Sequence, residues 1–310
     1  MWDRSTTMKI SICIPVYNGA ATIERLVDTV ERELSGYALE FVLVNDASRD
    51  DSEAVCERMA LARDNLRFIS LRKNFGEHNA VMCALNHVTG DCAVIIDDDF
   101  QNPPEEIMRL VQELEKGFDV VYSRFEEKQH STFRNLGSKF NDLTATWLLE
   151  KPKNLYLSSF KAIRREVVDE IVKYQGPFPY VDGLILRVTT SISSVLVRHN
   201  DREEGKSNYT LKKLISLWLN MFINFSIKPL RVFTMLGLGI SIISGFLIIY
   251  FILEKLLYPE SSQGWASIMV AITFFSGIQL MFLGLISEYL GKHYLTTNKA
   301  PQWTIKKIVP

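Results

Sequence analysis

The sequence predicts an α/β protein: a mostly parallel sheet covered by helices on both faces, followed by an amphipathic helix and two transmembrane helices. Three observations carry that expectation. Short β-rich apolar runs alternate with segments of helical periodicity from Lys9 to Ser123. Polar clusters fall at the carboxyl ends of those runs. Toward the C-terminus, two long apolar stretches carry no charge.

The elements follow in order. Lys9–Val16 reads as a strand and Ala20–Leu34 as a helix. Leu39–Asn45 with Asp50–Ala62, and Leu66–Leu71 with Glu77–Val88, repeat the pair. Cys92–Ile96 reads as a fourth strand, ending in three aspartates. Pro103–Gly117 reads as a helix, with prolines at its start and glycine at its end. Asp119–Ser123 reads as a fifth strand. Beyond Phe125 the alternation is irregular: His130–Leu149 reads as helix, Leu155–Ala162 as extended, Val181–Thr190 as helix and Ser194–His199 as strand. Ligands bind beyond the carboxyl ends of the strands in such sheets. Asn45–Asp46, Asp97–Asp99 and Arg124 are therefore expected along one edge, with the irregular region building an acceptor side.

Val232–Leu253 and Ala266–Ser287 each supply the roughly 20 apolar residues that cross a hydrocarbon core. The linker between them carries Lys255 against Glu254 and Glu260. The outer flanks carry Lys206, Lys212, Lys213, Lys228 and Arg231 on one side, and Lys292, Lys299, Lys306 and Lys307 on the other. The positive-inside bias places both termini in the cytosol. Within Tyr209–Phe225, Lys212, Ser216, Asn220 and Asn224 form one polar stripe against a wide apolar face, so this helix is expected to lie in the membrane interface. Packing against the soluble domain is the alternative.

Formal net charge is −1, which gives no basic field for nucleic acid. Cys13, Cys56, Cys83 and Cys92 form no C-x-x-C pair and read as reduced thiols. Cys83, His87 and Cys92 lie close in sequence but lack the fourth ligand of a structural zinc site. The N-terminal MWDRSTTMKI has no apolar core, so no signal peptide is expected.

The acidic triplet Asp97-Asp98-Asp99 carries the chemistry. Adjacent carboxylates at the end of a buried strand repel one another unless a cation sits there. Hard oxygens select Mg²⁺ or Mn²⁺, ions that bridge to phosphates. Gln101 adds a neutral oxygen, which makes Asp99 and Gln101 the candidate metal ligands. The triplet also reads as a solvated acidic turn ahead of the Pro103 helix.

IPVYN at Ile14–Asn18, VNDAS at Val44–Ser48 and IDDDFQNPPEE at Ile96–Glu106 resemble, in this order, the inverting glycosyltransferases of family 2, which have a Rossmann-like GT-A fold. The resemblance implies a nucleotide-sugar site at Pro15, Tyr17, Asn18, Asp46, Asp97 and Asp98. VNDAS departs from the frequent VDDGS but keeps Asp46, the residue implied to bind the base. Arg72, Asn74, Gly76 and Ala80 in RKNFGEHNA match the same pattern. A narrower likeness runs through NHVTGD, QNPPEE, REEGKSNYTLKKL and the two apolar spans. It is to the polyprenyl-phosphate branch: bactoprenol glucosyltransferases, undecaprenyl-phosphate formamido-arabinose transferases and dolichol-phosphate mannose synthases.

That branch implies an acceptor-phosphate site at Arg124, Arg134 and Ser138, with Lys161, Arg202 and Ser207 as further candidates. Arg202, Gly205, Ser207 and Tyr209 match a segment that closes on the site. Arginines suit the task because they pair phosphates bidentately, and Arg134 and Ser138 share a helix face. Asp97 and Asp99 are the candidate catalytic residues. Asp182, before Gly183, is either a base or a structural, sugar-binding group. Ser158–Lys161 and Tyr180–Arg187 look closer to the glucosyltransferase-like members.

The expected organisation is a cytosolic catalytic domain over 1–208, a juxtamembrane helix over 209–231, a two-helix membrane domain over 232–290 and a cytosolic tail over 291–310. The expected activity is inverting transfer of a UDP-linked hexose or modified pentose to undecaprenyl phosphate, with Mg²⁺ or Mn²⁺, by a homo-oligomer in the bacterial inner membrane. A processive polysaccharide synthase is expected to carry Q-x-x-R-W and more spans, and this sequence has neither. A non-catalytic membrane scaffold does not account for the intact triplet. No G-x-G-x-x-G follows the first strand, which argues against a nicotinamide enzyme.

Overall fold

The computed structural model describes residues 8–125, 146, 151–152, 155–198, 200, 228–257 and 264–310. They fall in two units. One comprises the chain up to Thr210 together with Lys299–Pro310, and the other comprises Leu211–Asn298.

The first unit is built on an eight-stranded sheet of order β7-β5-β6-β4-β1-β2-β3-β8. Its strands are β1 Lys9–Val16, β2 Ala38–Asn45, β3 Leu66–Leu71, β4 Cys92–Ile95, β5 Val120–Arg124, β6 Lys161–Arg164, β7 Ile192–Leu196 and β8 Ile305–Val309. Its helices are α1 Ile23–Glu33, α2 Ser52–Ala62, α3 Glu77–Leu85, α4 Ile107–Glu115, α5 Arg165–Ile171 and α6 Val181–Val188.

Strands buried on both faces are near-continuously apolar, as ISICIPV of β1 is. The covering helices bury one stripe each. Ile23, Leu26, Val27 and Val30 do so in α1, and Ile107, Leu110, Val111 and Leu114 repeat the spacing in α4. Each such side chain contributes about 1.5–3 kcal/mol by leaving water.

This topology sets where a site can lie. β1 pairs in parallel with both β2 and β4, so the order of the strands reverses beside β1 and opens a crevice at the carboxyl ends. β6 runs antiparallel to β4 and to β5, with Lys161 opposite both Ile95 and Tyr122. A reversed strand begins where its neighbours end. That brings Ser158–Lys161 to the edge that carries Asp97–Asp99.

Two elements go beyond the sequence-based expectation, while the fifth strand is present and pairs with β6 and β7. Helix α5 was not anticipated, because two turns give too short a stretch for periodicity to register. β8 was not anticipated either, since it lies in the expected tail. It pairs antiparallel with β3, and Lys306 and Lys307 form ion pairs with Glu53 and Glu57 of α2. The expected helix over 209–225 lies outside the described residues, as does that over 130–149 except Thr146, which is helical.

The second unit contains α7 Lys228–Leu257 and α8 Trp265–Thr297, which touch where the rings of Phe233 and Phe282 meet edge to face at 5.1 Å. Among the described residues one helical stretch, Phe274–Thr297, is long and apolar enough to cross a membrane. The apolar stretch in α7, Leu230–Ser244, is shorter. The expectation of two spans is thus met for one helix.

Candidate active site

The loops after β1 and β2 are sewn together. Asn18 N donates to Ser48 Oγ at 3.0 Å, and Arg49 N donates to Asn18 Oδ1 at 2.8 Å. Gly19 N donates to Ser52 Oγ at 2.9 Å. Asn18 and Ala47 both have left-handed backbones, with φ of 59° and 53°. Asparagine tolerates that region, whereas alanine is strained there by about 1–2 kcal/mol. Ala47 occupies the position where the related VDDGS pattern has glycine. Ala47→Gly is expected to stabilise the protein by about 0.5–1 kcal/mol, after the entropy cost of glycine. A raised Tm with unchanged activity is the expected reading, and a lowered Tm would show that the methyl packing matters more.

Asp46 is 3% exposed at the end of β2. Its carboxylate accepts from Phe75 N at 2.7 Å and Gly76 N at 2.8 Å, and its carbonyl oxygen accepts from Asn74 Nδ2 at 3.2 Å. Burial raises its pKa and these two N–H groups partly offset the rise. Asp46 therefore shapes the Arg72–Gly76 loop, which enters α3 through Gly76 at φ 92°. Pro15 is half-buried in β1, whereas Tyr17, Asn18, Arg72 and Asn74 are exposed around this crevice.

Across the strand switch stands the acidic loop. Asp97 accepts from Ser159 Oγ at 2.6 Å, and Asp99 Oδ1 accepts from Gln101 N at 3.1 Å. Asp98 is seated on Gly19, where an added Cβ would come within 1.9 Å of its Oδ2. That oxygen is buried without a hydrogen-bond partner. Asp97 is pushed up to about 7 by burial, by Glu77 and by Asp99, against the pull of Ser159 and Lys161. Burial, Asp97 and Asp99 push Asp98 up to about 7 as well.

A crowded set of carboxylates with one orphaned oxygen suits a divalent cation. Among the described residues no three His, Cys, Asp or Glu side chains converge as a ready-made cage. The remaining ligands would have to come from a bound phosphate, amide oxygens and water.

Lys161 and Asp182 change the expected picture of the acceptor side. Lys161 is 3% exposed and Asp182 is 6% exposed, and the two form a buried ion pair. Tyr122 OH also donates to Asp182 Oδ1, at 2.9 Å. Burial, with Asp182 beside it, holds the Tyr122 phenol well above its usual range, so it stays a donor. The described residues thus give the Lys161 ammonium a carboxylate partner of its own within the fold. His78 of α3 meets Tyr180 edge to face at 5.0 Å. Burial pushes its pKa down to about 4, opposed by Asp182 and reinforced by Lys161, so the imidazole is neutral near pH 7.

Arg124 is exposed at the end of β5, and its carbonyl accepts from Val197 N at 2.9 Å. Arg134, Ser138, Arg202 and Ser207 lie outside the described residues. All four cysteines are buried free thiols, and His87 Nδ1 bonds to the Cys83 carbonyl at 2.8 Å.

Sequence reasoning missed Gly19, Glu77, His78 and Tyr122, and it placed Ser159 only within the family-like segment Ser158–Lys161. Gly19 was within reach, because it directly follows IPVYN. The bond of Ser159 to Asp97 acquires meaning only once β6 is known to be reversed.

An acidic loop at the switch point of a sheet of this order defines a GT-A-like fold. Glucosyl-3-phosphoglycerate synthase from Mycobacterium tuberculosis, solved with Mn²⁺, uridine diphosphate and phosphoglyceric acid, has a similar fold. Its TM-score is 0.52 at 21% identity, over 68% of this chain and 75% of that one. The same enzyme has also been solved with Mg²⁺ and uridine diphosphate, at TM-score 0.51. Residues 11–172 match the model of glycosyl transferase family 2, and residues 228–292 match that of the GtrB C-terminal hairpin. The chain belongs to glycosyl transferase family 2. It is 31% identical to the undecaprenyl-phosphate 4-deoxy-4-formamido-L-arabinose transferase of Yersinia pestis, over 97% of this chain and 94% of that protein. It is equally similar to the protein of that name from Salmonella paratyphi B, over 100% of this chain and 96% of that one.

Proposed function

We propose that this glycosyltransferase moves a sugar from a nucleotide diphosphate, a UDP-linked hexose or modified pentose, onto undecaprenyl phosphate, with inversion at the anomeric carbon. The observation that carries the reading is the crowded carboxylate loop at the strand switch, in a chain that also bears an apolar hairpin. Relatives matched over nearly the whole chain, with names that specify an undecaprenyl-phosphate acceptor, support it.

In this reading the nucleotide lies in the crevice between the Pro15–Asn18 loop and the Asp46 loop, with its diphosphate toward Asp97–Asp99. Asp99 and Gln101, with Asp97 nearby, would hold Mg²⁺ or Mn²⁺. The ion supplies charge neutralisation for the leaving diphosphate. Ser159 fixes the Asp97 carboxylate, and Gly19 lets Asp98 approach β1. The acceptor phosphate is met by Arg124 from the end of β5, with Arg134, Ser138, Arg202 and Ser207. A phosphate monoester is largely dianionic at neutral pH, so the nucleophile carries no proton that a base must remove. The work of the protein is to hold two anions beside one carbon.

The membrane arrangement belongs to the same proposal. Both α7 and α8 span the inner membrane, residues 209–231 lie at its surface, the termini and catalytic unit are cytosolic, and the chain works as a homo-oligomer.

The test is transfer from radiolabelled UDP-sugars to undecaprenyl phosphate by the purified protein in detergent. A radiolabelled lipid product stable to mild base is expected, with none formed on undecaprenol. Arg134→Ala is expected to cut the rate about tenfold to a hundredfold, since a charge-assisted bond contributes about 1.5–3 kcal/mol, while donor binding holds. Product on the alcohol, or none with any UDP-sugar, would reject the assignment.

A further inference from the structure

The segment after the hairpin rejoins the sheet at a telling place. β8 pairs with β3 from Phe68↔Val309 to Leu71↔Ile305, with a register shift at Ser70/Leu71. The ladder then continues one rung further, where Arg72 N donates to the Thr304 carbonyl at 2.9 Å. Arg72 opens the loop whose other end, Phe75 and Gly76, is bonded to the Asp46 carboxylate. The loop is thus clamped at its entrance by Thr304 and at its exit by Asp46. Val309, 7% exposed, anchors the far end of β8 in the core.

Upstream of β8 the same segment reaches the other side of the site. Gln302, 8% exposed, donates through Nε2 to the Tyr174 carbonyl at 3.0 Å. Tyr174 OH donates to the Phe178 carbonyl at 3.3 Å, and that stretch leads into Tyr180 and Asp182. One short segment therefore touches the loop on the donor side and the loop that feeds the acceptor side.

We propose, on the reading that the Asp46 crevice takes the nucleotide, that Gln302–Val309 is a positioning element of the donor site. It holds the Arg72–Gly76 loop, and with it Asp46, in the shape that receives the nucleoside diphosphate. An ordinary edge strand would stabilise the sheet without affecting ligand affinity. This one ends in the loop itself, so losing it frees one end of that loop.

The full-length protein tests this with two variants that leave the loop sequence intact. Lys306→Glu with Lys307→Glu sets like charges against Glu53 and Glu57 at exposed positions, and Val309→Asp places a charge in the anchor. Hydrogen exchange, UDP affinity with Mn²⁺, and the steady-state constants are compared with wild type. In both variants the amides of Ile305–Val309 are expected to lose protection, and those of Phe75 and Gly76 to exchange faster. UDP affinity is expected to fall about threefold to tenfold, the loss of one hydrogen bond's worth of positioning, with donor KM rising in parallel and kcat nearly constant. Released β8 amides with unchanged Phe75 and Gly76 protection, or with unchanged UDP affinity, overturn the proposal. A wild-type protein that binds no UDP overturns the donor-site reading beneath it.

Discussion

Asp99→Asn is expected to reduce sugar transfer about a thousandfold while leaving the fold intact, because it removes a charge and little else. The retained Oδ1 of asparagine can still accept from Gln101 N, the 3.1 Å bond that shapes the turn. What disappears is one member of a carboxylate cluster in which Asp97 and Asp98 are already pushed up to about 7, chiefly by burial. Such a cluster is poorly suited to holding its own negative charge and well suited to sharing a cation with a diphosphate. Addition of Mn²⁺ with UDP should raise the Tm of wild type by mass action, and Asp99→Asn should lose that increment. Excess chelator should reduce wild-type transfer to the level of the variant. Full wild-type activity in excess chelator would mean that the acidic loop has another purpose.

The alternation of β1 to β4 with α1 to α3 was readable because each strand is buried on both faces and each helix lies on one of them. Burial of that kind is written directly into apolar runs and stripes. Asp46 and Asp97–Asp99 were readable for a related reason, since parallel strands deliver their carboxyl ends to a common edge. What could not be read was pairing between distant segments. Lys161 looks like a candidate phosphate ligand in sequence, and only the antiparallel placement of β6 beside β4 and β5 encloses it with Asp182 and Tyr122. IKKIV looks like a basic tail, because its two lysines mask a strand whose charges are answered by Glu53 and Glu57 more than 240 residues earlier. Local pattern encodes which face of an element is buried. It does not encode which remote element supplies the partner.

The Lys161–Asp182 pair leads to the other large effect. Asp182→Asn and Lys161→Met are each expected to destabilise the catalytic unit by about 3–5 kcal/mol, because each leaves one charge buried without its counterion. The two side chains are 3% and 6% exposed, so water cannot take the place of the missing partner. Tyr122 OH remains as a neutral contact to position 182, which is too little to compensate a full charge. The double variant Lys161→Met with Asp182→Leu buries no charge, and it should recover much of the loss. The coupling between the two sites would then be several kcal/mol, measured as a double-mutant cycle from unfolding in detergent. The catalytic consequence runs the other way. A carboxylate already accepting from an ammonium and a phenol is poorly placed to take a proton from the acceptor, and an anionic phosphate nucleophile presents almost none to take. Below its lowered Tm, Asp182→Asn should therefore retain transfer, with the acid limb of the pH–rate profile in its wild-type place. A variant as stable as wild type, normal in donor and lipid binding yet inactive, would instead identify Asp182 as the base and rule out the anionic-nucleophile account.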